Sequence, residues 1–94
     1  MASPVSSAGS PKNLSASANV TPRAGELVGI FVASASATPT IAVYDSATTT
    51  TSTIIVNTFT PVAGTFYPMP FTFAAGCYVV ISGTVDCTVS VRAN

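Results

Sequence analysis

The chain has no histidine and no tryptophan, and only six of its 94 residues are charged: Lys12, Arg23, Glu26, Asp45, Asp86 and Arg92. They cancel to a formal net charge of zero. Without histidine the commonest general base is missing, and the three carboxylates fall in different predicted elements with no pairing visible. Lys12 lies in a polar stretch that cannot hold it dry enough to activate a serine. The chain is therefore expected not to be an enzyme. Two cysteines ten residues apart cannot close a zinc site, and neither a glycine-rich phosphate loop nor an acidic calcium loop occurs, so no metal and no cofactor are expected. Three basic residues are too few for a phosphate-backbone footprint, which argues against nucleic acid as a direct partner.

Long apolar runs are missing as well. The strongest, Leu27 to Ala33, is far short of the roughly 20 residues that span a bilayer, so no membrane partner is expected. Met1 to Asn13 lacks the basic and apolar regions of a secretory signal. The expectation is a chain made and kept in a cytosol, unless it leaves inside a larger particle.

Present in their place are alanine, serine and threonine, with seven prolines and six glycines; 48% of the chain is apolar. A soluble domain commonly carries about a quarter charged residues. A surface that is uncharged yet hydrogen-bonding suits dense packing among copies without long-range repulsion. The plainer alternative is a monomer kept soluble by its hydroxyls, since apolar atoms cover much of any protein surface. At this length one small core is the limit.

Residues 1–18 hold only Val5 and Leu14 as sizeable apolar groups. Their burial cannot offset an ordering cost of about 1–2 kcal/mol per residue, so these residues read as an N-terminal arm. The arm is either disordered or ordered on a neighbouring subunit by strand addition. Residues 19–94 read as one all-β domain, a small antiparallel β-sandwich of about seven strands, Greek-key or jelly-roll-like.

A weak strand is expected near Leu14 to Val20, closed by Pro22. Glu26 to Ala35 is apolar on both faces, with Leu27, Phe31 and Ala33 on one and Val28, Ile30 and Val32 on the other. That pattern predicts a central strand covered on both sides, its outer face by a partner. Gly29 within it signals a bulge or a close backbone approach. Thr40 to Asp45 alternates cleanly, with Ile41 and Val43 inward. Asp45 to Thr53 reads as an exposed threonine-rich loop, and Thr53 to Thr60 as a further strand. Pro68 and Pro70 place the aromatic segment Thr65 to Phe73 on an edge or a crossing. Within it Phe71 and Phe73 are expected in the core, with Tyr67 and Met69 at the surface. Tyr67 and Met69, with Val5 and Leu14 of the arm, are the candidate partner contacts.

Cys77 to Arg92 reads as a closing hairpin, whose last strand turns Val85, Cys87, Val89 and Val91 to the core. A three-residue loop ending on Gly83 pairs Cys77 with Cys87 and permits a disulfide. A two-residue turn puts them on opposite faces, and a reducing cytosol favours free buried thiols.

The segments GELVGIFV (Gly25 to Val32), NTFTPVAGTFYPMPFTFAAGCYVVISGT (Asn57 to Thr84) and DCTVSVR (Asp86 to Arg92) resemble short all-β virion proteins of tailed bacteriophages, of the capsid decoration or cement type. The resemblance covers about three quarters of the chain. It implies a non-enzymatic structural protein on the capsid surface that contacts the major capsid protein, commonly as a homotrimer, and stabilises the shell by bridging subunits. The alternative is a carbohydrate- or host-surface-binding β-sandwich module at a phage tail or spike.

Overall fold

A strand that alternates apolar and polar residues has one face that must be covered, and two sheets of such strands cover each other. The computed structural model describes residues 10–36 and 38–93. It contains eight strands: β1 (Ser10–Leu14), β2 (Ala18–Thr21), β3 (Gly25–Ala35), β4 (Thr40–Asp45), β5 (Ile54–Phe59), β6 (Thr65–Phe73), β7 (Cys77–Ser82) and β8 (Val85–Ala93). Sheet A has the order β1-β8-β3-β6 and sheet B the order β2-β7-β4-β5. Every pairing is antiparallel: β4 with β5, β3 with β6, β2 with β7 and β1 with β8 form nested hairpins wrapped into two layers. The expected all-β sandwich is thus present, with the strand order of a jelly roll.

Sheet A sends Leu27, Ile30, Val32, Val85, Cys87, Val89 and Val91 into the core, and sheet B sends Ile41, Val43, Cys77 and Val79. Each large aliphatic among them contributes about 1.5–3 kcal/mol relative to exposure. The inward face of β8 is the one its alternation specifies. In β3 the alternation fails between Leu27 and Gly29 and again between Val32 and Ser34. The pairing of β3 with both β8 and β6 shifts between Leu27 and Gly29. This bulge resets the phase, so that Leu27, Ile30 and Val32 are all buried while Phe31 and Ala33 face outward. Phe31 is therefore not on the face of Leu27, as an uninterrupted strand would put it. Glycine at 29 is needed, because an added Cβ would lie 2.5 Å from the Phe66 ring and 2.8 Å from the Tyr67 carbonyl.

The arm expected over residues 1–18 is not free over its second half. Ser10 to Leu14 pairs residue by residue with β8, from Ser10 opposite Val91 to Leu14 opposite Cys87. Asn13 Nδ2 adds bonds to the Cys87 carbonyl (3.0 Å) and Asp86 Oδ1 (2.9 Å). Strand addition does occur here, but on this chain's own sheet; backbone bonding supplies what the composition of the segment lacks. Ser17 ties the following link to β7, its Oγ accepting from Ile81 N at 2.8 Å. The single strand expected near Leu14 to Val20 is thus replaced by β1 and β2, one in each sheet. The rest of the expected arm, residues 1–9 with Val5, lies outside the described residues.

The closing hairpin is also revised. β7 and β8 do not pair: β7 lies between β2 and β4, and β8 between β1 and β3. Gly83, with φ of +82°, turns the chain from one sheet to the other. Ser36 N donates to Thr84 O at 2.8 Å, and Thr84 N donates to Ser36 Oγ at 3.2 Å, fastening that crossing to the end of β3.

Candidate interaction surface

The described residues singled out as partner contacts, Leu14, Tyr67 and Met69, do not form a surface. Leu14 is buried in the core opposite Cys87, and Met69 is buried with it. Tyr67 is half-buried, its ring edge-on to Phe59 at 5.1 Å, with its hydroxyl accepting from Val62 N at 2.9 Å. Val5 is not described. Between Gly29 opposite Pro68 and Leu27 opposite Phe71, β6 carries one more residue than β3. This irregular stretch turns Met69 inward, and Phe71, expected in the core, lies 45% exposed on the edge strand.

Cys77 and Cys87 are free thiols in facing sheets, Cys77 opposite Thr21 and Asp45 and Cys87 opposite Leu14 and Val32. The ladder that would have bridged them does not exist, because their strands are not neighbours. Burial pushes the Cys77 thiol up to about 12, with the Asp45 charge adding to it. Burial, then the Asp86 charge, raises Cys87 likewise. Both are held as neutral thiols and act as small core hydrophobes.

Of the five exposed large hydrophobic residues among those described, Phe31 and Phe66 meet on the outer face of sheet A, whereas Ile54 begins β5 of sheet B, Val62 lies in the link after β5 and Phe71 on the edge strand β6. Phe31 and Phe66 stand directly opposite each other on β3 and β6 and remain 42% and 51% exposed. The Phe66 ring leans over Gly29, and Pro68 continues the row. Toward β8 the face passes to hydroxyls, Thr88 opposite Phe31 and Ser90 opposite Gly29. Charge is confined to the two ends. At one end Arg92, opposite Glu26, donates to its Oε1 at 2.7 Å, while Arg92 Nε is buried without a partner among the described residues. At the other end is Asp86, with the Asn13 amide on one oxygen. The lateral edges of this sheet are blunted, β1 by Pro11 and Lys12 and β6 by Pro68 and Pro70.

The outer face of sheet B has a different character. There Tyr44 and Tyr78 are paired opposite each other with ring centroids 6.5 Å apart, both half-buried. Tyrosine carries a polar end that water satisfies, whereas phenylalanine does not.

A third region, at the end of the sandwich where β4 stops, is polar and closed on itself. The Asp45 carboxylate accepts from Ala74 N (2.9 Å), Ala75 N (2.7 Å) and Gly76 N (3.3 Å), fixing the turn between β6 and β7. These bonds, that from Ala74 first, hold its carboxyl below the usual carboxylate range against the opposing effect of desolvation. Buried Ser46 accepts from Thr48 N and Thr50 N through its Oγ, and Asn19 Nδ2 reaches the carbonyls of Ser46 and Thr48. The threonine loop is exposed as expected, but its base is an ordered turn. Gly76 sits against the carbonyls of Ser46 and Thr21 and the Ala47 Cα, leaving no room for a Cβ.

Among the described residues no concave pocket opens on the surface, and no three potential metal ligands gather. The outer face of β3 is expected to meet a partner; what sequence reasoning missed is that Phe31 and Phe66 stand together at its centre. The signal was Gly29: a glycine inside a strand marks a close approach, and the ring that makes it is Phe66. Comparison with known proteins brings no family model, no curated protein and no solved structure that matches this chain.

Proposed function

We propose that the chain is a non-enzymatic structural protein of a virion, one that decorates a tailed-phage capsid and stabilises the shell through contacts bridging neighbouring subunits. Its partners in this reading are the major capsid protein and further copies of itself, with the homotrimer implied by the resemblance as one closed form. The observation that carries it is the outer face of sheet A, centred on the exposed Phe31–Phe66 pair and free of charge except at its ends. Such a face is suited to being covered by protein. The jelly-roll order adds the weaker support of fold analogy, since viral capsid domains use it, as do lectins.

The test is particle stability. Heads prepared without this chain should release DNA at a lower temperature than heads carrying it, and added full chain should co-sediment with them to saturation and restore the difference. Failure to bind such heads, or unchanged DNA release at full occupancy, would overturn the decoration role. Specific glycan binding in its place would favour the tail or spike module.

A further inference from the structure

We infer that the outer face of sheet A is a two-fold contact between copies of this chain, with β8 of one copy lying antiparallel over β8 of the other. The inference rests on the assembly role proposed above and names its self-contact. It takes a two-fold pair in place of the three-fold ring that the resemblance implies.

The distribution of charge selects the arrangement. Along the outer side of β8 the order is Asp86, Thr88, Ser90, Arg92, an acid at one end and a base at the other with only hydroxyls between. Turning a second copy about an axis that crosses the strands reverses β8 end for end and keeps the strand order. Each Asp86 then meets the partner copy's Arg92. Arg92 has capacity for this bond, since only Nη2 serves Glu26, the side chain is about a third exposed, and a guanidinium can serve two carboxylates at once. The axis passes at the level of Val89 and Ile30. Phe31 and Phe66, one step to one side, therefore fall over the Gly29 and Pro68 row of the other copy, aromatic surface on apolar surface. Turning about the strand direction instead would bring both Asp86 residues to one end with no cation there. The blunted edges of sheet A favour its face over its own edges as the route to association.

The area is adequate for a reversible pair. With 11 residues in β3 and four strands, the face measures roughly 35 by 17 Å, about 600 Å² in projection. A standard interface buries about 800 Å² of accessible surface per partner.

The experiment uses the full chain, without capsids, so its failure is separable from failure of particle binding. Sedimentation velocity should give wild type a mass twice that of one chain. Asp86→Arg combined with Glu26→Gln makes both ends of the face cationic, because Glu26 otherwise neutralises Arg92, and Arg92→Asp makes both anionic. Each variant alone should sediment as a single chain, and the two mixed in equal amounts should regain the doubled mass. A wild type that stays single or forms a trimer would overturn the two-fold face, as would variants that pair like wild type, or a folded mixture that fails to pair. Should a charge variant fail to fold, Phe66→Thr carries the same test: it should halve the mass with its thermal transition retained, and an unchanged mass overturns the inference.

Discussion

The polar end of the sandwich and the outer face of sheet A solve opposite problems with neighbouring strands. At the end, Asp45, Ser46 and Asn19 satisfy backbone groups of their own chain and Gly76 lets three backbone segments touch, so the stabilisation is internal. On the face, Phe31 and Phe66 leave apolar area that the described residues do not cover. Substitutions at the first should change stability and leave association alone; substitutions at the second should do the reverse.

The largest effect on stability is expected at Gly76. Its Cβ would meet backbone on every side, and backbone cannot rotate away as a side chain can. Gly76→Ala should cost about 3 kcal/mol, lowering Tm by roughly 12–24 °C, as read by thermal denaturation. The variant that folds should still associate like wild type.

Asp45→Ala comes next. Three N–H donors lose a charged acceptor but stay within reach of water, which sets the cost at about 2 kcal/mol. The same carboxylate gives an acid signature. Its value is depressed in the folded state, so its contribution is present above about pH 4 and is lost as pH falls through the folded-state value. Asp45→Asn should flatten the acid limb of a Tm-against-pH curve; an acid limb like that of wild type would show that the turn is held by other means.

At alkaline pH the two thiols act in the other direction. Their values are raised on folding, so they favour the folded state below the ordinary thiol value of about 8.5, and stability falls as pH rises above it. A thiol reagent should modify neither cysteine in the native state and both after unfolding, and reductant should leave the native mass unchanged.

The smallest change in stability is expected for Phe31→Thr and Phe66→Thr, within about 0.5 kcal/mol, because both rings face outward and threonine suits a strand. These two should nonetheless abolish self-association. Tyr44→Thr, on the outer face of sheet B, is the matching control and should leave the mass unchanged.

Much of this architecture was legible in the chain. The alternation of β8 and β4 assigns inward faces that the structure keeps, Pro68 and Pro70 put β6 on an edge, and Gly29 marked the close approach that Phe66 makes. What stayed hidden was non-local. Alternation tells which face a residue takes and not which strand lies beside it, so Cys77 to Arg92 read as a hairpin although its two strands belong to different sheets. The bulge between Leu27 and Gly29 exchanges faces downstream, and with that exchange Phe31 leaves the face that Leu27 shares with the core and lies outward. Leu14 reads as part of an arm because β1 is ordered by backbone pairing with residues more than 70 positions away. Asp45 gave no local signal, since its donors lie about 30 residues on.

The most direct measurement is light scattering on the full chain beside the Phe31→Thr, Phe66→Thr double variant, with a thermal melt of each. The expected result is a wild-type mass of twice the 9.4 kDa chain, a variant mass of one chain, and closely similar Tm values. A wild type that remains at one chain mass at every concentration, or a variant whose mass is unchanged, would contradict the assignment of this face to association.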